Sequence, residues 1–395
     1  MKHNQVTNLG MKPTQIRRVA WLLPAMGTGG ISFQHLLCEF TKIFPETIAF
    51  TGQWPGYAVG FEDTFTVKEI GATHYIEFAK AANGYSIGFS AASPQIVRQL
   101  WEFKPQVIFA NAFTAWTAIA LLLKPLCGWQ VIVTYEGGSA VYESPSSTIR
   151  YQARRWMARW ADAFVVNSRA GKSYLLDTLA VTPDRVFARP FLVPSVPALQ
   201  QYTEAEAPQL DGSLQRPIFL FVGQIIPRKG VDRLLAACQI LQQQGYEDYT
   251  LAIVGDGAQQ AELATIVRES GLEQQVTWLG KVPYHLLGAY FQFADVFVFP
   301  TYDDIWGMVL TEAMAFGKPA ICSTGAAAVE MMDEGGNGFV YDPDRVDLLA
   351  QYMIRFLETP DLIHSMGTRS TQIMLENTPE SAIECFIEAI AFVKN

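Results

Sequence analysis

Cysteine is scarce in this chain, with five in 395 residues: Cys38, Cys127, Cys238, Cys322 and Cys385. They are scattered, without the paired spacing of a metal site, and most have apolar neighbours. That argues against a disulfide framework and suits core packing in a reducing compartment. Charge is scarce as well, at 17% of residues, and it sums to −9, which argues against a general nucleic-acid binder. No apolar run reaches the length of a membrane span. The longest apolar helix, residues 112–123, is cut by Lys124-Pro125, well short of the roughly 20 residues a span requires. Residues 1–17 are polar and Lys/Arg-bearing, with no apolar segment before Val19. They are expected to be a loose tail rather than a signal peptide, in a cytoplasmic protein.

Half of the residues are apolar, ample for buried parallel sheets, and the length favours two domains. Residues 19–24 (VAWLLP) read as a strand, 27–30 (GTGG) as a turn and 32–44 as a helix, a layout that brings backbone close to phosphate. GTGGIS lacks the dinucleotide G-x-G-x-x-G spacing, so a tight turn alone is the competing reading. Residues 51–90 are loop-rich and aromatic, too irregular for sheet core; they read as an acceptor-facing wall or as long surface connections. A helix is expected over 93–103 and strands over 106–110 and 130–135. Glu136, at the end of the latter strand, is a candidate acid, base or hydroxyl binder, or else a loop carboxylate in water.

Ser146 or Ser147 can cap a helix reaching residue 163. At about 100° per residue, Ile149, Ala153, Trp156, Met157, Trp160 and Phe164 gather on the core side, and Arg150, Arg154, Arg155 and Arg159 on the other. Two readings stay open for 149–164: a domain helix with a solvated basic face, or peripheral contact with anionic lipid. A strand at 163–167 and a helix from Ser168 follow. Residues 193–216 are polar and proline-bearing, a linker between domains.

The second half restarts the plan. Strand 217–222 (PIFLFV), turn 223–230 (GQIIPRKG) and helix 231–243 lead to strand 250–254, the turn Gly255-Asp256-Gly257 and helix 258–270. Strand 276–279, Gly280-Lys281 and helix 284–293 come next. Arg228 and Lys229, cations in a glycine turn of an acidic chain, suggest a diphosphate; plain surface charge is the alternative.

Residues 296–323 (VFVFPTYDDIWGMVLTEAMAFGKPAICS) form the organising stretch: strand, loop, helix, strand. The loop lies at the strand's carboxyl end, where open parallel sheets bind ligands. A helix N-terminus offers unpaired N–H groups and partial positive charge to a phosphate. Glu312, one turn inside that helix, is placed to accept hydrogen bonds from ribose hydroxyls. Asp304, eight positions earlier, can reach sugar hydroxyls or the reacting carbon. An acidic residue that merely suits the helix dipole is the plainer reading. Beyond it, a strand at 338–341 and helices at 347–358 and 379–394 are expected.

On FVGQIIPRKGVDRLL, IVGDGAQQAEL, WLGKVPYHLL and DIWGMVLTEAMAFGKPAICS, in that order from Phe219, the chain resembles the glycosyltransferase family 4 group, retaining sugar-nucleotide transferases. The first half carries less of the resemblance, in the GTGG turn and WADAFVVNS. It implies a GT-B fold: two Rossmann-like parallel-sheet α/β/α domains facing a central cleft, at 18–192 and 217–373, with a C-terminal helix in 374–395 packing back on the first. The family's paired glutamates fall on Asp304 and Glu312. Its phosphate-binding arginine and lysine fall on Gln224 and Lys229, with Arg228 standing in for the lost charge. Glu136 occupies about the place of a histidine that many members carry.

What the resemblance implies is transfer of a hexosyl unit from a nucleoside-diphosphate sugar, a UDP-sugar by the family's habit, with retention and with no metal or other cofactor. The catalytic candidates are then Asp304, Arg228, Lys229 and Glu136. The donor-binding candidates are Gly29, Gly30, Gly223, Gly280, Gly307, Met308, Val309 and Glu312. The acceptor is expected to be a glycan, or a lipid-linked one at the cytoplasmic membrane face. The alternatives are a nucleotide-sugar-binding module without transferase activity, or a sugar-nucleotide epimerase on the same fold.

Overall fold

The computed structural model describes residues 16–24, 31–57, 60–71, 74–80, 86–91, 93–137, 148–194 and 214–394. The expected turn with Gly29 and Gly30, most of the tail and most of the linker lie outside the described residues. In the first half the strands are β1 (Arg18–Leu23), β2 (Glu46–Thr51), β3 (Thr66–Glu69), β4 (His74–Lys80), β5 (Ser86–Ala91), β6 (Val107–Asn111), β7 (Gln130–Tyr135), β8 (Ala163–Val166) and β9 (Val186–Ala188). Among the described residues, seven of them form one parallel sheet in the order β3-β2-β1-β6-β7-β8-β9. The helices are α1 (Ile31–Ile43), α2 (Ile96–Phe103), α3 (Ala115–Cys127), α4 (Thr148–Trp160) and the short α5 (Arg169–Ser173).

The strand sequences are near-continuous apolar runs because both sheet faces are covered. Ala20, Leu22, Ile108, Ala110, Val131 and Val133 pack under α2, α3 and α4. Val19, Trp21 and Phe109 face the opposite way, onto α1 and the C-terminal helix.

The second half contributes β10 (Ile218–Val222), β11 (Thr250–Val254), β12 (Val276–Gly280), β13 (Val296–Phe299), β14 (Ala320–Ser323) and β15 (Gly338–Tyr341). They form a parallel sheet of six in the order β12-β11-β10-β13-β14-β15. Its helices are α6 (Val231–Gln243), α7 (Gln260–Glu269), α8 (Leu287–Phe293), α9 (Met308–Ala315), α10 (Val346–Glu358), α11 (Asp361–Glu376) and α12 (Pro379–Lys394). The strand order reverses between β10 and β13, so the crevice for a ligand opens beside their carboxyl ends. The turn 223–230 and the loop 300–307 leave the sheet at that point.

Helix α12 returns to the first domain. Phe386 packs on Trp21, Phe109 and Phe191 with ring centroids 5.3–5.5 Å apart. The domains also touch directly. Trp306 Nε1 donates to the Leu192 carbonyl at 2.7 Å, and the Arg169 backbone N–H donates to Glu330 Oε2 at 2.7 Å.

Four expectations are corrected. The 51–90 stretch contains strands: β3 closes the edge of the large sheet, and β4 and β5 form an antiparallel pair. Its one described strand in the large sheet, TVKE, is mostly exposed, so it carries no apolar run to announce it. Helix α3 is not cut at Lys124-Pro125 but runs to Cys127. Pro125 falls in its last turn, and the helix is closed instead by Gly128 in the left-handed region, whose N–H bonds Lys124 O. Helix α11 was not expected at all.

The fourth correction concerns α4, which is turned relative to its expected stripe. Met157 and Ala158 are buried, but Ile149, Trp156 and Trp160 are exposed. Arg154 takes an inward place, donating to the Tyr174 hydroxyl at 2.9 Å and lying over the Tyr174 and Phe113 rings. A guanidinium that stacks and donates is satisfied inside, and the tryptophans rotate outward as a result. Phe164 belongs to β8 rather than to the helix.

Candidate active site

The turn after β10 ends in a 3₁₀ turn, Pro227–Lys229, closed by Gly230 with φ 69°. A Cβ on Gly230 would lie 2.0 Å from the Pro300 carbonyl oxygen, so only glycine lets this turn press against the end of β13. Thr301 Oγ1 and the Tyr302 N–H both donate to the Arg228 carbonyl, at 2.9 and 2.7 Å. These contacts fix the 228–229 cations against the 301–304 loop.

Lys229 is 9% exposed, and its ammonium donates to Asp304 Oδ2 while lying 5.2 Å from the Phe299 ring centre. Arg228 Nη1 is 3.9 Å from the same carboxylate oxygen and donates to the Asp303 carbonyl at 3.2 Å. A buried lysine and a largely buried carboxylate pair because either alone would carry an uncompensated charge into low dielectric.

The loop then enters α9 through Gly307, which has φ 98°. A side chain there would collide with Phe299, at 2.6 Å from its ring. No side chain caps α9, so the first-turn N–H groups at Met308 and Val309 remain an anion-binding end. Glu312, a turn further in, is 5% exposed. Burial pushes its carboxyl up to about 7, against the Tyr284 hydroxyl that donates to Oε1 at 2.9 Å.

Gly223, Gly255 and Gly280 end β10, β11 and β12 side by side. Gly223 N–H bonds Val254 O at 3.0 Å, and Gly255 N–H bonds Gly280 O at 2.7 Å. The space outside Gly280 is open, with nothing within 4 Å of a Cβ built there.

On the first domain, Glu136 follows β7. Asn111 Nδ2, at the end of β6, donates to Glu136 Oε1 at 3.2 Å, and burial raises the carboxyl above its ordinary range. Ser168 Oγ donates to the Glu136 and Gly137 carbonyls, both at 3.2 Å. The next residue, Arg169, is the one that meets Glu330 from the second domain.

The structure therefore gathers Arg228, Lys229, Asp304, Gly307, Met308, Val309 and Glu312 around the β10–β13 crevice. Gly223 and Gly280 stand along the same strand ends, Glu136 stands on the facing domain, and Gly29 and Gly30 lie outside the described residues. Gln224 is exposed on the turn. Sequence reasoning missed Tyr284, Asn111 and Glu330. The first lies in WLGKVPYHLL, but nothing in that motif's spacing marks it as the partner of a glutamate 28 residues away.

Two α/β domains built on parallel sheets of seven and six strands, joined in one chain, define the GT-B architecture. Two family models match the chain: "Glycosyl transferase 4-like domain" over residues 64–191 and "Glycosyl transferases group 1" over residues 203–373. The chain belongs to the group 1 glycosyltransferases.

Among curated relatives, an alpha-D-kanosaminyltransferase from Streptomyces kanamyceticus is 23% identical over 267 residues, 64% of this chain and 67% of that enzyme. A GDP-mannose-dependent alpha-(1-6)-phosphatidylinositol monomannoside mannosyltransferase from Mycolicibacterium smegmatis is 30% identical over 169 residues. The match covers 41% of this chain and only 44% of that relative. Among solved structures, Anabaena HepE in complex with UDP superposes with a TM-score of 0.72 at 16% identity, over 95% of this chain and 99% of that one.

Proposed function

We propose that this glycosyltransferase moves a hexosyl unit from a nucleoside-diphosphate sugar, with retention, to a glycan or lipid-linked glycan acceptor. The observation that carries the reading is the convergence of Lys229, Arg228 and Asp304 beside the uncapped N-terminus of α9. In the free protein Asp304 supplies the negative charge that keeps Lys229 satisfied. An arriving diphosphate supplies it instead, which releases Asp304 toward the hydroxyls of the donor sugar. Negative charge builds on the departing phosphate, and preorganised N–H groups and cations stabilise it there, each worth about 3 kcal/mol in such sites.

Glu312 Oε2 is the acceptor we assign to a ribose hydroxyl, its partner oxygen being held by Tyr284. We assign Glu136, which follows β7 in the first domain, to the acceptor side. Its raised carboxyl suits a hydrogen bond to an acceptor hydroxyl. No metal ion is given a part in this reading. UDP is the favoured base: the Anabaena neighbour was solved with UDP, although the mycobacterial relative is named for GDP-mannose.

The test is a thermal-shift series with UDP, GDP and ADP and then their sugars, on the wild type and Lys229→Ala. A ligand that binds only the folded state raises its melting temperature. The expected result is a shift with one base, lost in the variant, followed by sugar transfer to an acceptor. A shift without any transfer or donor turnover points to the binding module. No shift with any nucleotide overturns the donor site.

A further inference from the structure

The exposed apolar surface of the described residues is concentrated in one place. Among the described residues, nine large apolar side chains stand exposed, and seven belong to α2, α3 and α4. Trp101 on α2 is 62% exposed, Leu122 and Leu126 on α3 are 62% and 80%, and Ile149, Trp156 and Trp160 stand out from α4. Helix α2 packs on α3 and α3 on α4, and all three cover the same side of the sheet, so these side chains share one outer face. Such a patch on a soluble fold marks a surface that meets something.

Charge narrows what it meets. The three helices hold six cations, Arg98, Lys124, Arg150, Arg154, Arg155 and Arg159, against one carboxylate, Glu102, in a chain whose net charge is −9. Arg154 is turned inward and Lys124 pairs with Asp162, but Arg155 and Arg159 are exposed beside the tryptophans. Together with Trp156 and Arg185 they line an open cavity of about 430 Å³ that has no acidic residue in its wall. The Arg185 guanidinium is already committed to the Ala158, Ala161 and Asp162 carbonyls, which leaves Arg155 and Arg159 to meet an anion.

We propose that the α2–α3–α4 face seats the first domain on an anionic bilayer surface, with tryptophan and leucine tips in the interface and lipid phosphates at Arg155 and Arg159. Indole rings with a polar edge, flanked by arginines, are suited to the headgroup layer. A second copy of this chain fits less well, because a two-fold contact would set the same cations against one another. No described helix is long and apolar enough to cross a membrane, so the contact is peripheral. The inference does not depend on the donor site: a protein that binds vesicles but no nucleotide keeps this surface and loses the reading above.

The test is co-sedimentation of the full chain with phosphatidylcholine vesicles, with and without phosphatidylglycerol. The expected result is binding that requires the anionic lipid, weakens with added salt, and falls about tenfold or more in Arg155→Glu/Arg159→Glu. Trp160→Ser, at a position 48% exposed, weakens binding independently of charge, and both variants keep the wild-type melting temperature. Absent binding, or binding that neither variant reduces, overturns the proposal. So does a dimer mass in solution that Trp160→Ser abolishes without any vesicle binding, which assigns the face to a second copy.

Discussion

The Tyr284 hydroxyl donates to Glu312 Oε1 at 2.9 Å, joining the loop after β12 to the second turn of α9. Burial pushes the Glu312 carboxyl up to about 7, and this hydrogen bond works in the opposite direction. Tyr284→Phe therefore moves the Glu312 titration upward. Nucleotide binding that relies on the charged carboxylate develops at higher pH in the variant and is weaker by about 1 kcal/mol at neutral pH. Calorimetric titration with the nucleoside diphosphate from pH 6 to 8, an interval of about 2 pH units around the perturbed value, checks both.

The same burial has a consequence for folding. The Glu312 carboxyl titrates near 7 in the folded protein against an ordinary 4.5, so folding favours the protonated form. That contribution is complete below about 4.5 and is lost as pH rises through about 7. Glu312→Gln abolishes the titration and still accepts from Tyr284. Chemical denaturation is expected to show the variant gaining on the wild type between acid and mildly alkaline pH, by on the order of 3 kcal/mol. A difference independent of pH counts against the buried, proton-biased carboxyl.

Lys229 and Asp304 satisfy one another, and the effects of removing them should not add. Each single alanine leaves a poorly solvated charge and costs on the order of 3 kcal/mol. The double variant costs clearly less than the sum, because no charge is stranded. Nucleotide binding separates the partners: Lys229→Ala loses it, whereas Asp304→Ala retains diphosphate binding and loses transfer.

Glu330 ties the domains together through the Arg169 N–H, and burial raises its carboxyl above the ordinary range. Glu330→Ala removes this tie. Amide exchange at Arg169 is expected to quicken, and small-angle scattering to show a wider molecule, while the two sheets keep their protection. Unchanged exchange at Arg169 would mean the contact holds nothing.

Two glycines at neighbouring strand ends are expected to respond differently to a methyl group. A Cβ on Gly255, at φ 137°, would sit 1.8 Å from the Gly223 carbonyl oxygen, whereas one on Gly280, at φ 68°, meets nothing within 4 Å. Gly255→Ala should cost about 3 kcal/mol or more. Gly280→Ala should cost only the left-handed backbone term, about 1 kcal/mol. If Gly280 borders the donor, its variant folds well and still binds nucleotide sugar poorly. Melting temperature and donor affinity measured together distinguish the two effects.

Much of this was legible from local runs of residues. PIFLFV, TLAIV and VFVF became strands, the glycine turns fell at their carboxyl ends, and Gly307 opened a helix where the pattern changed period. Those features depend on residues within a turn or two of one another, and a sequence displays such relations directly. The edge strand β3 was not legible, because an exposed strand needs no apolar run.

Local runs of residues were enough for a doubly parallel α/β chain and for the places of its glycine turns. Which side chains meet at those turns depends on how the sheet assembles. Lys229 meets Asp304 across 75 residues, Tyr284 meets Glu312 across 28, and Arg169 meets Glu330 across 161. The orientation of α4 was decided in the same way. Periodicity placed its tryptophans inward, but Tyr174, 20 residues on, accepts from Arg154 and turns them to the surface. Helical spacing records which residues share a face. Which face is buried depends on what the sheet brings against it, and strand order and register set that.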